Sequence, residues 1–462
     1  MFTVLVKTNY KTNLLRRTLS KMPPFNYKPK PYTGDSYEVA LKKRRAYVHP
    51  SVELYYDKPL MIVEGKKQYL FDEKGRRYLD AIAGISVINC GHCHPKIVKA
   101  TTDQLNTLQH TTTLYLNNMY TNYAEKLLKT LPKKLDTVYF VNSGSEATTL
   151  AMNMCRTYTN NWDMISLRGG YHGMGASMGL TANSHYKQPL PQGFGIKHVR
   201  SPNPYRGPYL EDDPNMVDKY VNEIHDLIQC GTCGEVAGFI AEPIQGVAGG
   251  IPLPKGYLKK AFEVVRKAGG ICIADEVQDG FGRTGTMWGF QKDEDGLEPD
   301  IITMAKGIGN GFPLGAVVTT KEIANSFTKR FHFNTFGGNP VAMAVGNAVL
   351  DVIEEENLIE NARVLGKYLK GKLTKLMDKH DVIGNVRGKG LMIGVELVKD
   401  RKTKEPGCQI TLDILENMKE LGVLTLIAGV YSNVLRIKPP LCITKEDADF
   451  IVDVFDEAIQ ML

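Results

Sequence analysis

Short apolar runs alternate with helical patterns through the middle of the chain. Residues 137–141, 164–167, 236–240, 270–274, 300–304 and 315–319 are the runs predicted to be buried strands. Between several of them lie segments with apolar residues at helical spacing, such as 257–267. This alternation predicts an α/β fold in which helices cover both faces of a mostly parallel sheet.

The two flanks of this region have a different pattern. Residues 63–80 alternate apolar and polar positions around a Lys-Gly turn, which predicts a β-hairpin or meander. Beyond Pro340 the pattern predicts a long helix over 341–376, a strand region at 386–396, a helix near 411–421, a strand near 434–437 and a final helix from Lys445. We expect these later elements to form a smaller α+β domain, with the N-terminal hairpin packed against it.

These patterns divide the chain into four predicted segments. Residues 1–34 form a presequence and linker, and 35–95 form an N-terminal segment that packs with the small domain. Residues 96–345 form the large domain, and 346–462 form the C-terminal small domain. A chain of 462 residues is long enough for two such cores.

Charge is unevenly distributed along the chain. The net charge is +7, and the first acidic residue is Asp35. The cations that precede it are Lys7, Lys11, Arg16, Arg17, Lys21, Lys28 and Lys30. A basic, acid-free start favours a mitochondrial presequence, and hence a matrix enzyme, over a plain basic tail. The remainder is close to neutral and lacks any apolar run of ~20 residues, so we expect neither a nucleic-acid partner nor a membrane partner.

The cysteines do not suggest a disulfide framework, because the eight are scattered over a long chain. Cys230 and Cys233 form a close pair, which is either a metal or redox motif or a plain loop. No second pair follows at zinc spacing, and we predict no metal.

Small residues follow the first strand of the middle region, at Ser143, Gly144 and Ser145. Glycine permits close backbone approach, and the first N–H groups of the next helix lack intrahelical partners, which suits a phosphate. The same residues also fit a plain serine cap with Glu146 in the first turn.

Two charged residues end strongly apolar strands. Asp275 follows residues 270–274, and a carboxylate there needs a partner such as a protonated ring nitrogen, unless it is a helix cap. Lys306 follows residues 300–304, where burial lowers the pKa of an amine and makes it nucleophilic, unless the lysine is simply solvated. A Gly-rich turn at 334–340 adds a hydroxyl, that of Thr335.

Together these junctions supply an anion cradle, a buried carboxylate and a reactive amine, which an aldehyde cofactor with a phosphate and a ring nitrogen requires. The chain resembles the class III (subgroup II) aminotransferases of the fold-type-I pyridoxal-phosphate superfamily over roughly residues 50 to 455. The matching stretches are Gly91-His-Cys-His-Pro95, Asn142-Ser-Gly-Ser-Glu-Ala147, Glu242-Pro-Ile-Gln-Gly246, Asp275-Glu-Val-Gln278, Gly280-Phe-Gly-Arg283, Pro299 to Lys306, Thr335-Phe-Gly-Gly-Asn-Pro340 and Arg387-Gly-Lys-Gly390.

The resemblance implies a seven-stranded sheet in the large domain and assigns roles around the cofactor ring. Lys306 would hold pyridoxal phosphate as a Schiff base and later move a proton. Asp275 would keep the ring nitrogen protonated, and Gln278 would contact the ring hydroxyl. Tyr171 would stack on the ring, with His172 beside it.

The resemblance also assigns the phosphate site. Ser143, Gly144 and Ser145 would hold the phosphate. Thr335 would reach the phosphate of a neighbouring subunit, which implies a homodimer and leaves a tetramer open. His92 and His94, which look like metal ligands, would be structural.

The implied reaction is ping-pong transamination from alanine or a related amino acid, including β-amino acids, to glyoxylate or pyruvate. Arg436 would clamp a substrate carboxylate, and Glu242, which also borders the cofactor, would cover Arg436 when a substrate lacks that group. Met174 follows Gly173 where ornithine-type members tend to carry arginine, which argues against ornithine and acetylornithine as substrates. Another omega-aminotransferase, of the ornithine or 4-aminobutyrate type, stays an alternative.

Two further alternatives are weighed. One is a lyase on the same scaffold that acts on phosphoethanolamine-like substrates. The other is a nucleotide-binding protein, but residues 307–311 do not form GxGxxG and no Walker motif occurs. A catalytically inactive relative is disfavoured because both Lys306 and Asp275 are present.

Overall fold

The computed structural model describes residues 21–191, 193–291 and 296–462. Most of the predicted presequence, residues 1–20, lies outside the described residues. Within the described ranges, no helix has both the length and the apolar character to cross a bilayer.

The strands are β1 (Ile62–Lys66), β2 (Tyr69–Asp72), β3 (Arg77–Asp80), β4 (Thr137–Val141), β5 (Met164–Leu167), β6 (Ile196–Val199), β7 (Gly238–Ala241), β8 (Ile244–Gln245), β9 (Ile251–Pro252), β10 (Ile271–Asp275), β11 (Ile301–Met304), β12 (Gly315–Thr319), β13 (Ile383–Lys389), β14 (Met392–Asp400), β15 (Glu405–Pro406), β16 (Val423–Leu424), β17 (Leu426–Ala428) and β18 (Val434–Ile437). The helices are α1 (Tyr37–Tyr47), α2 (Ala83–Ser86), α3 (Pro95–Thr107), α4 (Asn118–Leu128), α5 (Gly144–Thr159), α6 (Met216–Gly231), α7 (Tyr257–Lys267), α8 (Lys321–Ser326), α9 (Pro340–Glu355), α10 (Leu358–Lys375), α11 (Cys408–Glu420) and α12 (Lys445–Gln460).

A seven-stranded sheet forms the centre of the molecule, in the order β4-β12-β11-β10-β7-β5-β6. Strand β12 pairs antiparallel with both β4 and β11, and the other pairings are parallel. The predicted α/β class with a mostly parallel sheet is therefore confirmed.

Alternate side chains of each central strand enter cores on opposite faces of the sheet. In β10, Ile271 and Ile273 join the apolar cluster that contains α5, whereas Cys272 and Ala274 join the cluster on the other face. This follows from the two-residue period of a strand. Both faces of the sheet are buried, which explains why the sequence of β10 is almost continuously apolar.

The helices bury one face against this sheet. In α7, Leu258, Ala261, Phe262 and Val265 are buried, at the i, i+3, i+4, i+7 spacing of an amphipathic helix. Burial of each large side chain stabilises the fold by about 1.5–3 kcal/mol.

The described residues also form three smaller sheets, one of which is the pair β8-β9. Strands β13-β14-β18-β17 form a sheet with β15 attached to β14, and β1-β2-β3-β16 form another. In the second sheet β3 pairs in parallel with β16, Leu79 opposite Val423, so the N-terminal segment joins a late part of the chain. The division of the chain into four segments stays a prediction.

The predicted long helix over 341–376 is wrong, because two helices occupy it. Asn357 lies between α9 and α10 with φ of +51°, a left-handed conformation that asparagine tolerates better than most residues. Helix α9 packs on α3 and α4, while α10 packs on β13 and α12. Two packing surfaces therefore require the change of direction.

A buried arginine connects these regions. Arg283, 1% exposed, donates from Nη1 to the carbonyls of Leu391 (3.1 Å) and Pro439, and from Nη2 to Oδ1 of Asn89 (2.7 Å). Burial lowers the pKa of its guanidinium to about 9. One side chain thus holds the N-terminal segment and two late loops together.

We expect Arg283→Met to lower the free energy of unfolding by about 3 kcal/mol, because three buried acceptors lose their donor. Urea titration followed by circular dichroism measures the change. Arg363→Met is the control, since Arg363 is exposed and pairs only locally with Glu360. Equal stability of the two variants would contradict the prediction.

Candidate active site

Three ionisable residues follow neighbouring strands at one edge of the large sheet. Glu242 follows β7, Asp275 ends β10, and Lys306 lies two residues beyond β11. Strands β7, β10 and β11 are adjacent and parallel, so their carboxyl ends meet. Ligands of α/β sheets bind at this edge.

Asp275 is fixed by three donors. Its Oδ2 lies 2.6 Å from Nδ1 of His172, and its Oδ1 accepts from the Thr303 hydroxyl at 3.0 Å and the Val277 amide at 3.2 Å. Thr303 sits opposite Asp275 in the pairing of β10 with β11. The carboxylate is 2% exposed, so its direction is set before any ligand arrives.

Lys306 has an unusual backbone and an unusual amine. Its φ is +54°, a left-handed conformation that is costly for a residue with a long side chain. Burial lowers the pKa of the Lys306 amine to about 8, although the charges of Asp275 and Glu242 oppose this shift. A substantial fraction of the amine is therefore neutral and nucleophilic near neutral pH.

The turn after β4 forms a cradle at the start of α5. Ser143 caps the helix by accepting from the Glu146 amide at 3.2 Å. A Cβ on Gly144 would lie 2.9 Å from Cγ1 of Val277, so glycine is required for this close packing. Ser145 accepts from the Met174 amide at 3.0 Å, which joins the turn to residues 171–174.

Tyr171 and Glu242 lie side by side. Glu242 accepts from the amides of Tyr171 and Gly246, both at 3.0 Å, and burial raises the pKa of its carboxyl. The Tyr171 and Tyr186 rings pack edge to face, with their centroids 4.9 Å apart. The predicted cover of Arg436 by Glu242 stays a prediction, since no ion pair between them is found among the described residues.

Arg436, in β18, is 4% exposed, and its Nε and Nη1 have no hydrogen-bond partner within the described residues. The charge of Glu242 favours its guanidinium form, while burial lowers its pKa. A buried donor without an acceptor costs free energy, so the two unpaired nitrogens indicate an anionic ligand.

Thr335 is exposed in the turn before α9. Its neighbour Asn334 contacts the phosphate-cradle turn of the same chain, accepting from Asn142 Nδ2 at 2.9 Å and donating to Glu146 at 3.1 Å. Phe336 is 63% exposed. The turn therefore lies beside residues 142–146 and presents Thr335 outward.

The two histidines singled out in the sequence pair with carboxylates, and the two cysteines do not form a disulfide bond. His92 pairs with Asp80 at 2.7 Å and His94 with Glu356 at 2.8 Å. Cys230 and Cys233 are exposed free thiols. A cleft of about 930 Å³ is lined by His92, His94 and neighbouring residues and does not include Lys306.

Sequence reasoning named Gln278 but missed two buried charged residues beside it, Lys438 and Asp279. Gln278 is 6% exposed, and its Oε1 accepts from Nζ of the buried Lys438 at 2.9 Å. Asp279 is also buried, with Oδ2 accepting from the Ile244 amide. Asp279 directly follows Gln278 and Lys438 lies two residues beyond Arg436, so a charged residue close to a predicted site residue was the available signal.

These residues fit pyridoxal phosphate. The Ser143–Ser145 turn offers helix N–H groups for a phosphate, Asp275 offers a fixed carboxylate for a ring nitrogen, and Lys306 offers an amine for an aldehyde. The fold and the site define a fold-type-I pyridoxal-phosphate enzyme.

Comparison with known proteins gives the family. The model of the family "Aminotransferase class-III" matches residues 53–459. The chain belongs to the class III aminotransferases, and its cofactor is pyridoxal phosphate. It is an aminotransferase, as the sequence predicted.

Two relatives and one solved structure illustrate the similarity. Alanine–glyoxylate aminotransferase 2 homolog 2, mitochondrial, of Arabidopsis thaliana is 54% identical over 96% of this chain and 92% of its own length. Alanine–glyoxylate aminotransferase 2, mitochondrial, of Homo sapiens is 45% identical over 97% and 91%. A phospholyase from Arthrobacter in complex with phosphoethanolamine has a TM-score of 0.85 at 35% identity, covering 92% of this chain and 100% of that one.

With the cofactor removed, we expect acylation of Lys306 to rise with pH around a midpoint of about 8, since only the neutral amine reacts. Asp275→Asn should lower that midpoint, because the carboxylate stabilises the ammonium form. Peptide mass spectrometry measures the rate.

The matched control is Asp300→Asn. Asp300 precedes β11 at the opposite edge of the sheet and pairs with Arg266 at 2.9 Å, so its loss should leave the Lys306 midpoint unchanged. A wild-type midpoint near the ordinary lysine pKa of about 10.4 would contradict this description of the site.

Proposed function

We propose that the enzyme transfers the amino group of alanine or a related amino acid to glyoxylate or pyruvate. The observation that supports this proposal best concerns Arg436. Its Nε and Nη1 atoms are buried and have no hydrogen-bond partner among the described residues. These donors suit the carboxylate that alanine, glyoxylate and pyruvate share. The names of the Arabidopsis and human relatives support alanine as donor and glyoxylate as acceptor.

The protein's own residues divide the work. Pyridoxal phosphate supplies an aldehyde that takes up amino groups and a ring that accepts electrons. The Lys306 amine would hold the cofactor through that aldehyde and, when free, would carry a proton to and from the substrate Cα. Asp275, held by His172 and Thr303, keeps a proton on the ring nitrogen.

Other residues bind and orient. The Ser143, Gly144 and Ser145 turn binds the phosphate, and Tyr171 stacks on the ring. Gln278 donates to the ring hydroxyl. Arg436 orients the substrate carboxylate so that the Cα–H bond faces Lys306.

The functional unit in this proposal is a homodimer. Thr335 is exposed although its turn borders the phosphate cradle, which suits a hydroxyl that serves a partner subunit. The exposed rings of Phe331 and Phe336 lie in the same turn region. Such an apolar surface suits an interface between copies of the chain.

The proposed location is the mitochondrial matrix. The basic, acid-free first 34 residues and the word "mitochondrial" in the names of two relatives support it. Fusing residues 1–34 to a fluorescent reporter tests the address, and a reporter that stays outside mitochondria would refute it.

Borohydride reduction of the enzyme with its cofactor should label Lys306 and no other lysine, because reduction fixes the imine carbon to that nitrogen. Lys306→Ala should abolish turnover in a donor panel run with glyoxylate and with pyruvate. Phosphoethanolamine should be tested alongside the donor panel, since the Arthrobacter phospholyase is in complex with it. Release of phosphate without keto acid formation would favour a lyase instead.

Arg436→Lys should raise the KM for glyoxylate about 10- to 100-fold, because an ammonium cannot form the planar two-bond contact. Arg401→Lys is the control, since Arg401 donates to backbone carbonyls such as that of Ile383. Steady-state kinetics measure both. An unchanged KM in Arg436→Lys would place the carboxylate clamp elsewhere.

Subunit mixing tests Thr335. A dimer of a Lys306→Ala chain with a Thr335→Asp chain should keep one working site, since Lys306 and Thr335 of that site come from different chains. A dimer of wild type with the Lys306→Ala/Thr335→Asp chain should keep none, because aspartate repels the phosphate. Equal activity of the two mixtures would show that Thr335 does not act across an interface.

A further inference from the structure

Lys438 is a second buried lysine in the active-site region. It follows β18, two residues beyond Arg436, and is 3% exposed. Its backbone amide donates to the Ala81 carbonyl at 2.7 Å, which fixes the position of its Cα. Its Nζ lies 2.9 Å from Oε1 of Gln278.

Burial and the neighbouring cations raise the free energy of a charged Lys438 side chain. Burial lowers the pKa of the Lys438 amine well below its ordinary value, and the charges of Arg436, Lys306 and Arg283 act in the same direction. Asp279 opposes them, and its Oδ1 has no hydrogen-bond partner within the described residues. An apolar residue would avoid this cost, so a contact made by the amine is the feature to explain.

That contact determines which way the Gln278 amide faces. A lysine amine donates hydrogen bonds in both of its protonation states, and an ammonium can only donate. The Lys438 amine donates to Oε1 in this structure, so the amide oxygen faces Lys438 and the NH₂ group faces away from it. Gly246 packs against the same amide, where an added Cβ would come within 2.7 Å of Oε1 and 2.9 Å of Nε2.

We propose that Lys438 is a positioning residue, which holds Gln278 with its NH₂ group turned toward the ring hydroxyl of the cofactor. The inference rests on the proposed placement of that cofactor at Lys306. A donor on the ring oxygen reduces the negative charge there. That charge favours the protonated form of the nitrogen that joins Lys306 to the cofactor, so the donor favours the unprotonated form.

The test is a pH titration of the visible absorption of the enzyme with its cofactor bound. In Lys438→Met the midpoint should rise by about one pH unit, since the ring oxygen loses an oriented donor. In a Gln278→Leu background the same substitution should cause no further rise, because the two residues act in one chain of contacts.

The chain offers a matched control. Lys419 is also 3% exposed, and it pairs with Glu416 at 2.5 Å in α11, away from the Lys306 site. Lys419→Met should leave the midpoint unchanged. If Lys438→Met does not fold because Asp279 loses its counter-charge, Lys438→Met/Asp279→Asn removes both charges and keeps an acceptor for the Ile244 amide.

Two results would overturn the proposal. One is an unchanged midpoint in a folded Lys438 variant, which would leave the lysine with a structural role only. The other is an equal rise in the Gln278→Leu background, which would mean that the charge acts directly on Lys306. A wild-type enzyme without a pH-sensitive band, or without a borohydride label on Lys306, would instead refute the proposed function itself.

Discussion

The loss of water around ionisable groups at one sheet edge is the constraint on which this active site depends. Lys306, Asp275, Glu242 and Arg436 all lie where burial opposes their charged forms or requires a partner. Asp275 and Glu242 each accept from an assigned donor, whereas Nε and Nη1 of Arg436 have no acceptor among the described residues. The free energy left uncompensated is what a cofactor and a substrate carboxylate recover on binding.

The strands of the large sheet determine where most of these ionisable groups lie. Parallel strands β7, β10 and β11 bring their last residues to one edge, and β4 runs in the same direction two places along. Both faces of the sheet are apolar, so the strands are rigid supports. The small sheet then adds Arg436 and Lys438 from β18 and the residue after it, across from Lys306.

Much of this could be predicted from the sequence because the relevant signals are local. An apolar run that ends in Asp275 or leads to Lys306 is visible in a few residues, and the turn at 142–146 combines a cap with glycine. The edge strand β6 was missed, since residues 196–199 are only partly buried and carry a weak apolar pattern. The break at Asn357 was also missed, because a left-handed asparagine inside a helical pattern has no strong signal.

The sequence by itself determined the α/β class, through its alternation of apolar runs and helical patterns, and the cofactor chemistry, through the residue types at the strand ends. Only the tertiary structure decided the pairings: His172 with Asp275, 103 residues apart, and Lys438 with Gln278, 160 apart. It also left Arg436 without an acceptor among the described residues. The physical reason is that hydropathy patterns specify which face of an element is buried, whereas a hydrogen bond between buried side chains depends on how distant elements pack.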